Sequence, residues 1–368
     1  MSARLGCLAV CVLLTVASAA HAGTWRTLDP ASPGDCALEF EGVIEKGDLT
    51  GALERGLLDG YFSRICLNSP GGSLAEVLDF IKVSRDAYYG GTRVRSGDEC
   101  LSSCAILFMF GEAFGANSPY ISRQLEPGAR LGFHSPFIRD GTGSAASDAE
   151  VFGVALRVAK LLSDRSYMYA DALDPALPQE LLALLFGTPA DQMRHVKTVG
   201  EARILGIELW PDPERTAVFP DTEASLDALT RRICANSHTL TYRHSFVSQG
   251  YDFDELVQVA EAKTTLGPED LTIHKRRTLP PHGNRPETYF AVLSGLGYWV
   301  PGWHSAGSQQ YCRVEMTKTP APGGFIVGGY DVEFGQFIDA NLNSIPAKRA
   351  DSEGIRGGIL PLDTLYGR

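Results

Sequence analysis

The chain has 368 residues, 33 Lys and Arg against 44 Asp and Glu, a formal net charge of −11 and a hydrophobic fraction of 44%. The acidic balance argues against a nucleic-acid surface, which needs a basic face to meet phosphates. The apolar share is that of a globular chain with a real core, and the length favours two domains over one.

Arg4 supplies a positive n-region, Leu5 to Val16 an apolar h-region, and Ala20-His21-Ala22 a small-x-small cleavage site before Gly23. Residues 1–22 therefore read as an export signal. The apolar run is short for a membrane span and no later segment has the length for one. Cys7 and Cys11 read as signal residues. Removing Arg4, the only charge in the signal, takes the formal charge from −11 to −12. The expected mature protein starts near Gly23 and is soluble and periplasmic. Cys36, Cys66, Cys100, Cys104, Cys234 and Cys312 remain, an even set that suggests disulfides. Cys234 and Cys312 are the natural pair of the second half; the pairing of the other four stays open. Zinc-type spacing is missing and the eight histidines are scattered, so no metal site is expected.

Cys36 to Ile44 alternates as a half-buried strand does, and Leu49 to Leu58 has helical spacing. Arg64 to Leu67 reads as a buried strand ending in Asn68-Ser69-Pro70-Gly71-Gly72. Ser73 caps a predicted helix to about Ala87, with Leu74, Val77, Leu78 and Ile81 on one face. Thr92 to Arg95 is a strand, Ser102 to Phe110 an almost wholly apolar helix, and Arg130 to Phe133 a strand leading to His134. Repetition of strand and helix predicts an α/β domain with parallel pairing. Arg139 to Ser147 reads as a mobile loop, and Ser147-Asp148 caps a long helix to about Ala170. Gln179 to Phe186 and Gly200 to Leu205 are further helical pieces. Trp210-Pro211-Asp212-Pro213 marks a domain boundary. Beyond it, clusters such as Gly297-Tyr298-Trp299-Val300-Pro301-Gly302-Trp303 and Gly328-Gly329-Tyr330 suggest a smaller α+β domain over 225–368. Lys275-Arg276-Arg277 reads as a solvated loop.

Three features carry chemistry. Gly71 and Gly72 leave their backbone open to close approach and can aim an N–H outward. Ser102 and Ser103 head a helix whose free N–H groups and partial positive charge favour an oxyanion. His134 ends a strand. Each also has a plain structural reading, as tight turn, N-cap and packed histidine. Their order in one α/β unit supplies nucleophile, oxyanion donors and base for acyl transfer.

Asn68-Ser69-Pro70-Gly71-Gly72, Ser102 heading an apolar helix closed by Gly111, and Phe133-His134-Ser135-Pro136 together resemble the Clp protease proteolytic subunit. Its exported relatives, the Clp-protease-like predicted periplasmic proteins, are similar in carrying Cys-x-Ser-x-Cys around the serine. The resemblance covers roughly Cys36 to Leu209 and implies a fold of the Clp protease/crotonase type, with 23–212 as the Clp-protease-like domain. It implies Ser102 as nucleophile, His134 as base, and the N–H groups of Gly72 and Ser103 as the oxyanion hole. Counting back from Ala202-Arg203-Ile204-Leu205-Gly206-Ile207 gives Asp191 as the third member, with Asp171 and Asp174 as fallbacks; Thr188-Pro189-Ala190-Asp191 also reads as a helix start. The resemblance implies a serine-type peptidase or related hydrolase acting on peptide or protein without a cofactor. The resemblance allows a homo-oligomer without fixing the oligomeric state, and no ATPase partner is expected outside the cytoplasm. The loop Arg139 to Ser147 and the helix after it stand where the family has its handle region, which mediates subunit contacts.

Two other readings stay open. A Ser–Lys dyad, as in signal peptide peptidase A, would use Lys160. A non-catalytic protein would bind extended peptides at a strand edge or act as an envelope scaffold. Cys100 and Cys104 flank Ser102; a bond at either would tie the site to redox state, and the plain reading is packing or a structural bridge.

Overall fold

The computed structural model describes residues 22–29, 34–58, 64–84, 90–114, 119–136, 153, 156–160, 178–247, 252–258, 271–283, 286–297 and 309–335. Residues 1–21, the Arg139–Ser147 segment, most of the helix expected after it, Asp171, Asp174 and residues 298–303 lie outside that set.

In chain order the first elements are β1 (Thr24–Thr27), β2 (Cys36–Glu41), α1 (Thr50–Glu54), β3 (Arg64–Asn68), α2 (Leu74–Val83), β4 (Thr92–Val94), β5 (Glu99–Leu101) and α3 (Ser103–Met109). There follow β6 (Glu112–Phe114), β7 (Pro119–Ile121), β8 (Arg123–Leu125), β9 (Arg130–Phe133), α4 (Gln179–Gly187), β10 (Arg194–His195), α5 (Val199–Ile204) and β11 (Glu208–Leu209). The last are β12 (Val218–Phe219), α6 (Glu223–Val247), β13 (Thr272–Leu279), β14 (Glu287–Gly297), β15 (Gln309–Ala321) and β16 (Gly324–Gly335).

The chain is a mixed α/β protein. One sheet has the order β1-β2-β3-β4-β8-β11, parallel throughout except for β1. Parallel neighbours need a crossover, and α1 and α2 supply it between β2, β3 and β4. Ile65, Cys66 and Leu67 of β3 are almost fully buried, as a strand covered on both faces must be. A smaller sheet, β10-β9-β5, pairs β5 parallel to β9. Every residue of α3 is buried, and each of its large apolar side chains contributes roughly 1.5–3 kcal/mol. Its far end is pinned to β4 by the Thr92 hydroxyl, which donates to Phe108 O at 2.7 Å.

Ser73 caps α2 as expected, its hydroxyl accepting from Glu76 N at 3.2 Å. Glu76 ties this helix to α1: Oε1 accepts from Leu49 N (2.9 Å), Thr50 N (2.8 Å) and Thr50 Oγ1 (2.9 Å). Burial pushes the Glu76 pKa up, but these donors and Gly47 N outweigh it and hold the carboxyl below its ordinary value.

A five-stranded antiparallel sheet, β12-β16-β15-β14-β13, occupies the second half. Leu226, Leu229, Ile233 and Cys234 of α6 pack with Ala291, Leu293, Val314, Met316 and Phe325 of that sheet in a second hydrophobic cluster. Further along α6, Leu240 joins the first cluster instead, as do Phe253, Leu256 and Val257. Lys275, Arg276 and Arg277 lie in β13, not in a loop. The charges still face water in part, because β13 is an edge strand and edges are commonly protected this way.

Disulfides join Cys36 to Cys66, Cys100 to Cys104, and Cys234 to Cys312. The last pairing agrees with the expectation. It closes a separation of 78 residues against 30 and 4 for the others. By loop entropy this constrains the unfolded chain by about 4.5 kcal/mol, against about 2 for the short bridge. Cys234→Ala/Cys312→Ala is therefore expected to lower unfolding free energy in urea by about 4 kcal/mol. Among the described residues no helix is long and apolar enough to cross a membrane.

Candidate functional site

The site forms where three chain segments meet. The first is the turn after β3. Gly71 N donates to the Ser69 hydroxyl at 3.1 Å, while Ile44 N donates to Gly71 O at 2.9 Å and Ser73 N to Ile44 O at 2.7 Å. The N–H of Gly72 (φ +147°) takes no part in those bonds.

The second segment is the β5–α3 junction. Ser102 has φ 57° and ψ −123°, and it is the one non-glycine residue at positive φ among those described. A residue with a Cβ takes this conformation only where its surroundings force it, at about 1–3 kcal/mol. The same kind of sharp strand-to-helix turn exposes the serine of nucleophile elbows. Ser102 stands at the N-cap position, yet its hydroxyl does not cap the helix. Ser103 opens α3; its N–H has no intrahelical acceptor, and its buried hydroxyl has no hydrogen-bond partner among the described residues. The turn packs directly on this junction: a Cβ on Gly71 would lie 2.6 Å from Leu101 O, 2.8 Å from Ser102 Cβ and 3.3 Å from Ser103 N. The N–H groups of Gly72 and Ser103 thus belong to two backbone pieces in contact.

The third segment is the end of β9. Leu101 pairs with Gly132, and Ser102 N donates to Gly132 O at 3.0 Å. His134 follows two residues later and is 9% exposed. Its Nδ1 lies 2.7 Å from Ser135 O. A carbonyl only accepts, so Nδ1 carries the proton and Nε2 presents the lone pair. Ser135 is itself fastened, its N donating to Thr188 O and its hydroxyl to Leu185 O, both at 2.8 Å.

The structure brings Gly72, Ser102 and Ser103 together and sets His134 at the end of the strand beside them. No hydrogen bond joins Ser102 Oγ to His134 among the described residues. Asp191 lies in an exposed turn closed by Gln192 N to Pro189 O at 3.0 Å, and no hydrogen bond or ion pair joins it to His134. Lys160 is exposed on the helical segment 156–160, with no bond to Ser102.

One feature escaped the sequence reading. His195 of β10 pairs with Gly132, and a Cβ there would meet Met193 Sδ at 2.8 Å and His195 Nδ1 at 3.0 Å. Burial, then the charges of Lys197 and Arg130, hold the His195 imidazole below its ordinary pKa. The signal was the alternation Met193-Arg194-His195 opposite β9, too short to stand out. The pairing of Cys100 and Cys104, left open by the sequence, is with each other, and the bond spans the junction. Among the described residues, no group of three or more His, Cys, Asp or Glu side chains could hold a metal.

No family model matches the sequence. The search of curated proteins also returned no match. Among solved structures, the chain is similar to the ClpP protease catalytic domain from Plasmodium falciparum, at 17% identity and a TM-score of 0.23. The match covers 33% of this chain and 62% of that one, so less than two thirds of that domain is spanned.

Proposed function

We propose that this chain is an exported serine-type acyl hydrolase, acting on peptide or protein, with Ser102 as nucleophile. One observation carries the reading: Ser102 alone, among non-glycine residues described, is held at positive φ, at a strand-to-helix turn backed by Gly71. In this reading Ser102 Oγ attacks the carbonyl carbon and His134 Nε2 takes its proton. The N–H groups of Gly72 and Ser103 hold the oxyanion. The imidazolium then protonates the leaving amine, and a water repeats the sequence on the acyl-enzyme. The role expected of Asp191, fixing the tautomer, falls to the Ser135 carbonyl.

Three disulfides are compatible with an oxidising compartment, which supports export to the periplasm after cleavage near Ala22. The same reading takes 23–212 as a Clp-protease-like unit, able to form a homo-oligomer without an ATPase, and 225–368 as an added α+β unit.

A fluorophosphonate probe is expected to label the mature protein at Ser102 and to leave Ser102→Ala unlabelled. Equal labelling of the two would reject the assignment. The missing Ser102–His134 bond and the exposed Asp191 favour a second reading, a non-catalytic peptide binder on the same fold. A silent probe alongside measurable peptide binding selects it. Apo catalytic hydrogen bonds are often long, so the geometry alone leaves the hydrolase reading standing.

A further inference from the structure

We infer that the Cys100–Cys104 disulfide is the part that sets Ser102 in its acting conformation, so that the site becomes competent only once these two thiols are oxidised. This rests on the hydrolase reading for its consequence, not for its geometry.

The bridge joins the residues two before and two after Ser102, with Cα atoms 5.1 Å apart. Cys100 is held in β5 opposite Leu131, and Cys104 sits in the first turn of α3. The bond therefore ties strand to helix across the turn whose middle residue has φ 57°. Ser102 has no side-chain cap bond of its own to hold that conformation. Its backbone is anchored by Ser102 N to Gly132 O, and by Ala105 N and Ile106 N to its carbonyl at 3.0 and 3.4 Å. The 3.0 and 3.4 Å bonds survive in an ordinary helix start with Ser102 extended, which a residue with a Cβ prefers. Closing the bridge takes that alternative away. Both cysteines are fully buried, which places the lock in the core rather than at the surface. The other two disulfides do not span this turn: one joins β2 to β3, the other α6 to β15.

Chemically the lock closes by exchange. One cysteine thiolate attacks a donor disulfide and the second thiolate then displaces the donor. Two protons and two electrons leave the pair, and the donor departs as a dithiol. A chain kept reduced is thus unarmed until a disulfide donor reaches these thiols, which requires the junction to be open or not yet packed, since both cysteines are fully buried once it is folded.

The test uses the mature chain, oxidised, against Cys100→Ala/Cys104→Ala, with Cys100→Ser/Cys104→Ser as a second sample nearer in volume. Ser102 ¹³Cα and ¹³Cβ shifts report its backbone, and fluorophosphonate labelling reports competence. In both variants the Ser102 shifts are expected to move to values of extended backbone, and labelling to slow about tenfold or more. Cys234→Ala/Cys312→Ala is expected to label within about twofold of the parent, despite its larger loss of stability. Unchanged Ser102 shifts and unchanged labelling in a folded variant overturn the inference. So does global unfolding of both variants, which would make the bridge a support of the whole fold. If the oxidised parent is never labelled, the hydrolase reading fails, and the shift comparison still decides the conformational claim.

Discussion

Replacing His134 with alanine is expected to lower turnover about 10⁶-fold, and Ser102→Ala to reach the same floor, about 10³–10⁴ above the uncatalysed rate. The two are expected not to add in the double variant, because base and nucleophile act as one unit. The fold should tolerate both changes. Ser102 is half-buried and caps nothing through its side chain, while His134 ends a strand whose neighbours Leu131 and Phe133 carry the packing. Asp191→Ala is expected to matter far less, since its carboxylate stands in an exposed turn and the Ser135 carbonyl already accepts from Nδ1. Steady-state kinetics on a peptide ester, with circular dichroism on each variant, checks the set. A His134→Ala enzyme within tenfold of the parent would remove the imidazole from the mechanism.

The second large effect lies in the turn. Gly72→Ala is expected to cost about 2–3 kcal/mol of stability and about 10²–10³ in turnover. A Cβ at Gly72 would stand 2.2 Å from Ile44 O and 2.8 Å from Ile44 N, at a φ of +147° that L side chains rarely adopt. Both contacts are backbone, so no side chain can swing aside. The turn must move, which breaks the Ile44–Gly72 bridge and carries the Gly72 N–H away from Ser103. Gly97→Ala is the comparison: its φ is +85° but nothing lies within 4 Å, so only the backbone penalty remains, about 1 kcal/mol, and activity stays. Equal turnover in the Gly72 and Gly97 variants would take Gly72 out of the oxyanion hole.

Much of the first half was legible in the chain because burial there is written as composition. The run Ala105 to Met109 has no polar face, so a helix buried all round was the one outcome open to it. Arg64 to Leu67 reads the same way, as a buried strand, and the strand found is Arg64–Asn68. The Ser73 cap and the Gly71-Gly72 turn were local decisions, made by one hydroxyl and two missing side chains. β5, β10 and β11 were not legible. Strands of two or three residues carry too little pattern, and only their partners β9 and β8 give them an identity.

By itself the sequence determined the alternation of strand and helix, the Cys234–Cys312 pair, and the chemical types assembled at the site: glycines, helix-head serines and one strand-end histidine. Tertiary structure alone decided how those groups present themselves. The positive φ of Ser102 arises where the β5–α3 junction is bridged by Cys100–Cys104 and packed against Gly71 from a distant turn. The proton on His134 Nδ1 is set by a neighbouring carbonyl whose position depends on Thr188 and Leu185. Backbone strain and tautomer are properties of surroundings, and a linear pattern of residue types does not contain surroundings.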